Sequence, residues 1–583
     1  MNRTLRQQGS ALGACALLLI FLAGAPGRSS TALLSSDETP TSFIVQGPGI
    51  GTAKRLVLKV GGTVTHELAI IRAVGAELTA QQQAALLDLD PSLRIYDDGE
   101  LSTSGRRDRT GHQRDKTKGK RGDDRTGSDD GFIAIDHLGT GEDGTDDDWD
   151  DWSRRLHASP PWHIQRIGAV EAHAGSASGY GVTIAVLDTG GIPYPSLLYD
   201  QHGRYRLLAQ YDAIADTDLA SSYLTDWHGH GGHVAGLTVN SEQESESGFY
   251  YGVALEADLV IVKAFDHLGC GTYADTIRGI DWILQNQDTY GIRVLNLSFS
   301  APPRPHYWDD PLNQAVMAAW QAGIVVVASA GNTGPDPMTV GVPGNVPYII
   351  TVGAMTDNLT PEGNDDTLAS FSSAGPTYEA FIKPEVVAPG GHVTSTMSPL
   401  TTTGVQHPEF HDGGFYFLMS GTSQATALVS GVAALMLEAD PSLTPDDVKC
   451  RLMDSARPAV DEEGGLAYSI FQQGAGLVDA HAAIQSTASG RANLGIDIDL
   501  DLSGVEHYAG RARQDEDGTY YLLGSNRIVW SDGFVWSDGY VWADGFVWSD
   551  GFVWSDAHIS PGGFVWSDAL TEPASVNVWV EQE

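Results

Sequence analysis

The residues Val182-Thr183-Ile184-Ala185-Val186-Leu187-Asp188-Thr189-Gly190 decide how this chain folds. Six mostly apolar residues, rich in β-branched types and without alternation, predict a strand buried on both faces, as in a parallel sheet. The strand ends on Asp188, and Gly190-Gly191 breaks it. Ligand and catalytic groups in open α/β sheets gather at the carboxyl ends of strands. Asp188 is therefore either a working carboxylate or a loop cap. Further strands are expected at 259–264, 294–297 and 324–329, with helices at 273–285 and 312–322. That alternation predicts a three-layer α/β domain, a parallel sheet covered by helices on both faces.

Three other segments carry groups suited to chemistry. In His228-Gly229-His230-Gly231-Gly232-His233-Val234-Ala235-Gly236, glycines let the backbone approach its neighbours, and a small-residue helix follows. The three histidines also suit zinc, but no nearby cysteine or HExxH pattern completes a site. Ile324-Val325-Val326-Val327-Ala328-Ser329-Ala330-Gly331-Asn332 ends a strand on an amide that either donates to an oxyanion or fills a turn. Met419-Ser420-Gly421-Thr422-Ser423-Gln424-Ala425-Thr426-Ala427 puts Ser423 at the start of a helix expected over 425–439. Backbone N–H groups and the positive dipole end there suit a developing oxyanion, although Gly-Thr-Ser is also an ordinary cap.

Together these motifs resemble the subtilisin-like serine proteases, the subtilases. Asp188 sits in Asp-Thr-Gly, His230 opens His-Gly-x-His-Val-Ala-Gly with Gly232 where threonine is usual, Asn332 sits in Ala-Gly-Asn, and Ser423 in Gly-Thr-Ser. The order Asp, His, Ser matches, and the run from Gln473 to Ala480 resembles the family's closing segment. The resemblance covers about 160–487 and implies a secreted serine endopeptidase. It implies that Ser423 attacks the scissile carbonyl, His230 moves the proton and Asp188 orients the imidazole. Asn332 and the Ser423 N–H would bind the oxyanion. Ser298, Phe299 and Ser300 would form one side of the primary specificity pocket, and Ser329, Ala330 and Gly331 the other. His233 is expected to be structural, and His228 has no assigned role.

The chain departs from the family pattern in two places. Ala427 replaces the usual proline near the start of the serine helix, and Phe299-Ser300 stands where a small apolar residue and glycine are usual. A side chain at Ser300 is expected to narrow the pocket or change its polarity. A loosened serine helix would suit a transpeptidase or ligase, one alternative to hydrolysis. The other is a non-catalytic binding protein on the same scaffold, which retention of all four catalytic positions argues against.

Outside this domain, 1–32 has the anatomy of a signal peptide: Arg3 and Arg6, then a short apolar run too brief for a comfortable membrane span. Residues 41–98 read as a small α/β unit, with strands at 42–45, 55–60 and 93–96 and helices at 66–74 and 79–87. Its position resembles that of a subtilase propeptide, implying an intramolecular inhibitor removed by cleavage. Residues 99–158 read as a charged linker, too polar to fold alone. Cleavage is expected between Gly99 and Ser159, with Arg154-Arg155 one candidate.

The net charge is −41 over 583 residues, and 156–583 alone carries −37. So acidic a chain disfavours nucleic acid and anionic membranes. No cofactor is expected for catalysis. Structural calcium follows from the resemblance, without nameable ligands. Cys270 and Cys450 remain once a signal is removed, as a disulfide or as two thiols. In the region 490–583, Gly-Phe-Val-Trp-Ser-Asp units recur with a six-residue step from Val529. An even step keeps the tryptophans on one face of an extended chain. This is either a β-rich stack that binds carbohydrate, a surface or another copy, or a disordered tail.

Overall fold

The computed structural model describes residues 39–102, 160–523 and 528–529, apart from 221–222, 224, 304–305, 357–362, 364, 462–464, 491 and 516–517. The expected signal segment, nearly all of the charged linker and the tryptophan repeats lie outside the described residues.

The N-terminal unit holds β1 (Thr41–Gln46), β2 (Thr63–Leu68), β3 (Ala73–Leu78) and β4 (Arg94–Asp97) in an antiparallel sheet of order β2-β3-β1-β4. Helices Ile50–Lys59 and Ala80–Leu89 cover one face. Two expectations are corrected here. Residues 55–60 lie mostly in the first helix, because Ala53, Leu56, Val57 and Val60 recur at helical spacing and pack into the unit's core. Residues 66–74 are not helical throughout: β2 and β3 flank one short turn at Ala69–Ile71. Thr63-Val64-Thr65 opens this stretch with β-branched residues whose exposure alternates, the two-residue rhythm of a strand.

A fifth strand, β5 (Glu100–Ser102), leaves the unit and pairs antiparallel with β10 (Cys270–Thr272) of the main domain. The start of the expected linker is thus ordered structure. The Tyr273 N–H extends the pairing to the Gly99 carbonyl at 3.0 Å.

The main domain is built on parallel strands β6 (Thr183–Asp188), β7 (Leu207–Asp212), β9 (Asp258–Lys263), β11 (Ile292–Leu297), β12 (Val325–Ser329), β13 (Ile350–Thr356) and β15 (Val386–Gly391). They run in the order β15-β13-β12-β11-β6-β9-β7, with antiparallel additions β8 (Thr217–Leu219) on β7 and β14 (Thr367–Leu368) on β13. This is the expected α/β architecture, and β6 is buried along its whole length. The helix Thr422–Ala439 is buried from Thr422 to Leu437 and packs on β11, β12, β13 and β15. Its small and apolar residues suit an interior position, and each large apolar side chain it buries stabilises by about 1.5–3 kcal/mol.

The N-terminal unit sits on the helices Tyr273–Gln285 and Pro311–Gln321. Asp98 accepts the Ala274 N–H at 2.9 Å, Asp281 accepts the Ala69 N–H at 2.9 Å, and His66 meets Asp275 at 3.0 Å. Asp98 thus places a carboxylate at the positive end of the Tyr273–Gln285 helix. At the other end of the chain, packing continues past the expected boundary at 487. Asp501 accepts hydroxyls from Tyr307 and Tyr348, and the Gly510 and Ala512 N–H groups bond to the Glu379 and Ala380 carbonyls. Cys270 lies on β10 and Cys450 in the helix Pro445–Ser455.

Candidate active site

The carboxyl end of β6 delivers Asp188 into a fully buried position. Its Oδ1 accepts from His230 Nδ1 at 2.7 Å and from the Thr189 N–H at 2.7 Å. His230 is the first residue of the helix His230–Val239. Gly229 before it has φ of +109°, and a methyl group there would lie 2.8 Å from Met397 Sδ and Thr401 Oγ1, so the turn into the helix requires glycine. Gly231 lets the helix start meet the end of β6: a Cβ there would lie 2.3 Å from the Gly190 carbonyl.

Asp226, which the sequence reading did not single out, ties these two elements together. Its Oδ1 accepts from Thr189 Oγ1 at 2.9 Å and from the His228 and Gly229 N–H groups at 3.1 and 2.7 Å. Its Oδ2 takes the Gly232 N–H at 2.7 Å. Thr189 Oγ1 in turn accepts the Gly231 N–H at 2.8 Å. Lys263, beside Asp188 in the sheet register, donates to the Thr189 and Phe265 carbonyls. Burial lowers its ammonium pKa, and Asp226 opposes that shift.

The other histidines differ from His230. His233 is wholly buried, meets the Phe417 carbonyl at 3.0 Å, and is held down to about 3 by burial. His228 lies with its ring centroid 6.3 Å from that of His230; burial, and then His230 itself, push it down to about 4. Among the described residues no group of three or more imidazole, thiol or carboxylate side chains gathers to hold a metal ion.

Ser423 stands in the first turn of its helix, after Gly421 and Thr422. Its hydroxyl donates to the Ser298 carbonyl at 3.0 Å, a bond it must give up before its proton can pass to His230. Ser298 is doubly tied to it, since Ser298 Oγ donates to the Ser423 carbonyl at 2.9 Å. Asn332 is oriented by Thr422: its Oδ1 accepts both the Thr422 N–H and hydroxyl at 2.9 Å. That leaves Nδ2 as the free end. A Cβ built on Gly421 would lie 3.4 Å from Asn332 Nδ2 and 3.8 Å from the Ser423 N–H nitrogen, so both donors border one space.

The two expected edges of the pocket lie together, joined by Ser329 Oγ donating to the Phe299 carbonyl at 2.8 Å. The Phe299 ring is buried against Phe265, with ring centroids 5.0 Å apart. Gly331 has φ of +107° and donates its N–H to Thr422 Oγ1 at 3.2 Å. Ala330 is buried and receives the Gly341 N–H on its carbonyl at 3.0 Å. The serine helix runs unbroken through the buried Ala427.

Comparison with known proteins places the chain among relatives of one family. A family signature described as "Subtilase family" matches residues 179–476. The chain is 41% identical over 312 residues to serine protease AprX of Bacillus subtilis (strain 168), covering 53% of this chain and 67% of that protein. It is 32% identical over 327 residues to subtilisin DY of Bacillus licheniformis, covering 56% of this chain and 98% of that one. The crystal structure of fervidolysin from Fervidobacterium pennivorans, a keratinolytic enzyme related to subtilisin, superposes with a TM-score of 0.55 at 22% identity. That match covers 79% of this chain and 63% of the other.

Proposed function

The chain belongs to the subtilase family and is a subtilisin-like serine endopeptidase, and we propose that it cleaves peptide bonds through Asp188, His230 and Ser423, with Asn332 at the oxyanion. The observation that carries this reading is the 2.7 Å bond between His230 Nδ1 and buried Asp188 Oδ1. That bond fixes the tautomer with a proton on Nδ1 and leaves Nε2 to act as base.

Ser423 Oγ adds to the scissile carbonyl as its proton passes to His230 Nε2. Asp188 stabilises the imidazolium so formed. Negative charge grows on the carbonyl oxygen, and Asn332 Nδ2 and the Ser423 N–H receive it. His230 then gives the proton to the departing amine, leaving an ester on Ser423. Water, deprotonated by the same imidazole, cleaves that ester and restores the hydroxyl. The donors are fixed before charge appears, which is why they act more strongly than water.

The substrate strand is taken to lie along β10, where β5 lies in the full-length chain. On this reading the N-terminal unit is a propeptide that blocks the cleft and is removed by a cut between Gly99 and Ser159. The short apolar run after Arg3 and Arg6 supports secretion. Among the described residues no helix is long and apolar enough to cross a membrane. Protein substrates follow from the family. For the repeat tail we keep the reading of an aromatic face for carbohydrate or a surface, and we keep structural calcium as an addition for stability.

A fluorophosphonate probe tests the assignment. The processed enzyme should be labelled on Ser423 and should hydrolyse casein, and Ser423→Ala should lose both properties. Labelling elsewhere, or hydrolysis that survives in the alanine variant, overturns it.

A further inference from the structure

Ser300 is half-buried, directly after Phe299 on the edge that begins at Ser298. Its hydroxyl stands between two glycines of neighbouring segments. A methyl group on Gly341 would lie 2.0 Å from Ser300 Oγ, and one on Gly331 would lie 2.9 Å from it. The walls cannot easily spread. Ala301 and Val342 exchange both backbone hydrogen bonds at 2.9 Å, and Gly341 is held by Ala330 at 3.0 Å. On the other side Gly331 is tied to Thr422, and its carbonyl takes the Ser373 N–H at 2.9 Å. Gly331, Gly341 and Ser300 therefore bound a slot beside Asn332. Two of its walls are bare α-carbons, and the third puts a hydroxymethyl group across it.

We propose that Ser300 closes this slot to large side chains, so that the enzyme selects alanine, glycine or serine on the amino side of the bond it cuts. The inference rests on the proposed triad, because attack at a carbonyl held by Asn332 directs the preceding side chain toward this slot. A ring entering it would meet the Ser300 hydroxyl at contact distance. The ring would either force apart segments joined by paired backbone bonds or cover a hydroxyl with apolar surface, and both are unfavourable. The chain that follows β5 continues Thr103-Ser104-Gly105, small residues that such a slot accepts.

The test uses processed enzyme and a set of chromogenic peptides that differ only in the residue before the leaving group: Gly, Ala, Ser, Leu or Phe. The wild type should show kcat/KM for Ala at least about tenfold above that for Phe, the discrimination a pocket gains from a few atoms of bulk. Ser300→Gly should raise kcat/KM for Phe by about tenfold or more and so narrow the ratio. Ser300→Thr should move preference further toward Gly, a second readout if the glycine variant is poorly folded. Equal hydrolysis of Ala and Phe by an enzyme labelled at Ser423 overturns the slot argument and leaves the triad standing. Absence of both labelling and hydrolysis overturns the triad, and this inference with it.

Discussion

Asp226 Oδ2 accepts the Gly232 backbone N–H at 2.7 Å, inside the first turn of the helix that His230 begins. The other oxygen of the same carboxylate reaches Thr189, next to Asp188. One buried anion thus registers the strand that carries the acid against the helix that carries the base, and it sits at the positive end of that helix. Asp226→Ala leaves three backbone N–H groups and one hydroxyl without their acceptor. A loss of about 3–5 kcal/mol in unfolding free energy is expected. Asp226→Asn should also lose activity, because its amide presents N–H to an N–H donor. The predicted signature is a fall in kcat larger than any rise in KM, measured with one peptide substrate beside denaturant titrations.

Asn332 gives a sharper test of the oxyanion site. Its Oδ1 is occupied by Thr422, so Nδ2 is the end turned to the carbonyl oxygen. Asn332→Ala should lower kcat by roughly 10²–10³-fold with little change in KM, the loss a subtilisin suffers without its own oxyanion amide. Thr422→Val keeps the backbone donor and removes the hydroxyl. It should cost less, about tenfold, since a neutral hydrogen bond is worth about 0.5–1.5 kcal/mol and of the two that the hydroxyl makes, to Asn332 and from the Gly331 N–H, only the first orients the amide. Equal KM and kcat effects for Asn332→Ala would place the amide in ground-state binding instead.

The motifs that carry chemistry were legible because local constraints surround them. Asp188 ends a run of apolar residues, and His230 lies between glycines, Gly229 and Gly231, whose close approach to Met397 and Gly190 leaves no room for a side chain. Asp226 was not legible. Its partners are mostly backbone N–H groups, and no side-chain pattern in sequence announces where a loop will fold around a carboxylate. Gly341 was equally silent, since its importance lies in a Ser300 hydroxyl about forty residues away in the chain. The N-terminal unit was misread where periodicity is short. In Arg55-Leu56-Val57-Leu58-Lys59-Val60, apolar side chains are dense enough to fit two periods, and only Ala53 upstream decides for the helix. The docking of 490–523 was missed because Asp501 reads as one acid among many until two tyrosine hydroxyls converge on it.

Acid should destabilise the fold through its buried histidines. Burial is the first cause that holds His163 at about 4, His228 at about 4 and His233 at about 3. Above pH 6.5, the ordinary histidine value, neither the native nor the unfolded chain holds these protons, and the shift contributes nothing. Below it the unfolded chain takes up protons that the native state refuses, so stability falls as pH drops from about 6.5 toward about 4. For His163 alone the loss by about pH 4.5 is roughly 2–3 kcal/mol. Denaturant titrations at about pH 7 and about pH 4.5 should show a smaller difference in His163→Leu than in the wild type. An unchanged difference would mean that His163 takes up its proton in the native state.

Maturation should depend on Leu101. This side chain is buried, and its residue pairs with Gly271 of β10. Leu101→Asp would bury a carboxylate among apolar atoms without a partner, and the strand would leave β10 before the charge entered. If that pairing presents the following segment for cutting, the variant precursor should be processed at least about tenfold more slowly, equivalent to 1.4 kcal/mol or more of lost positioning. Lys54→Ala is the control on the same unit. Lys54 forms an exposed pair with Glu67, and such pairs contribute about 0–1 kcal/mol, so processing should hardly change. N-terminal sequencing of the processed wild type should find a start between Gly99 and Ser159. A start near residue 33, or Leu101→Asp processed at the wild-type rate, would mean that β5 does not guide the cut.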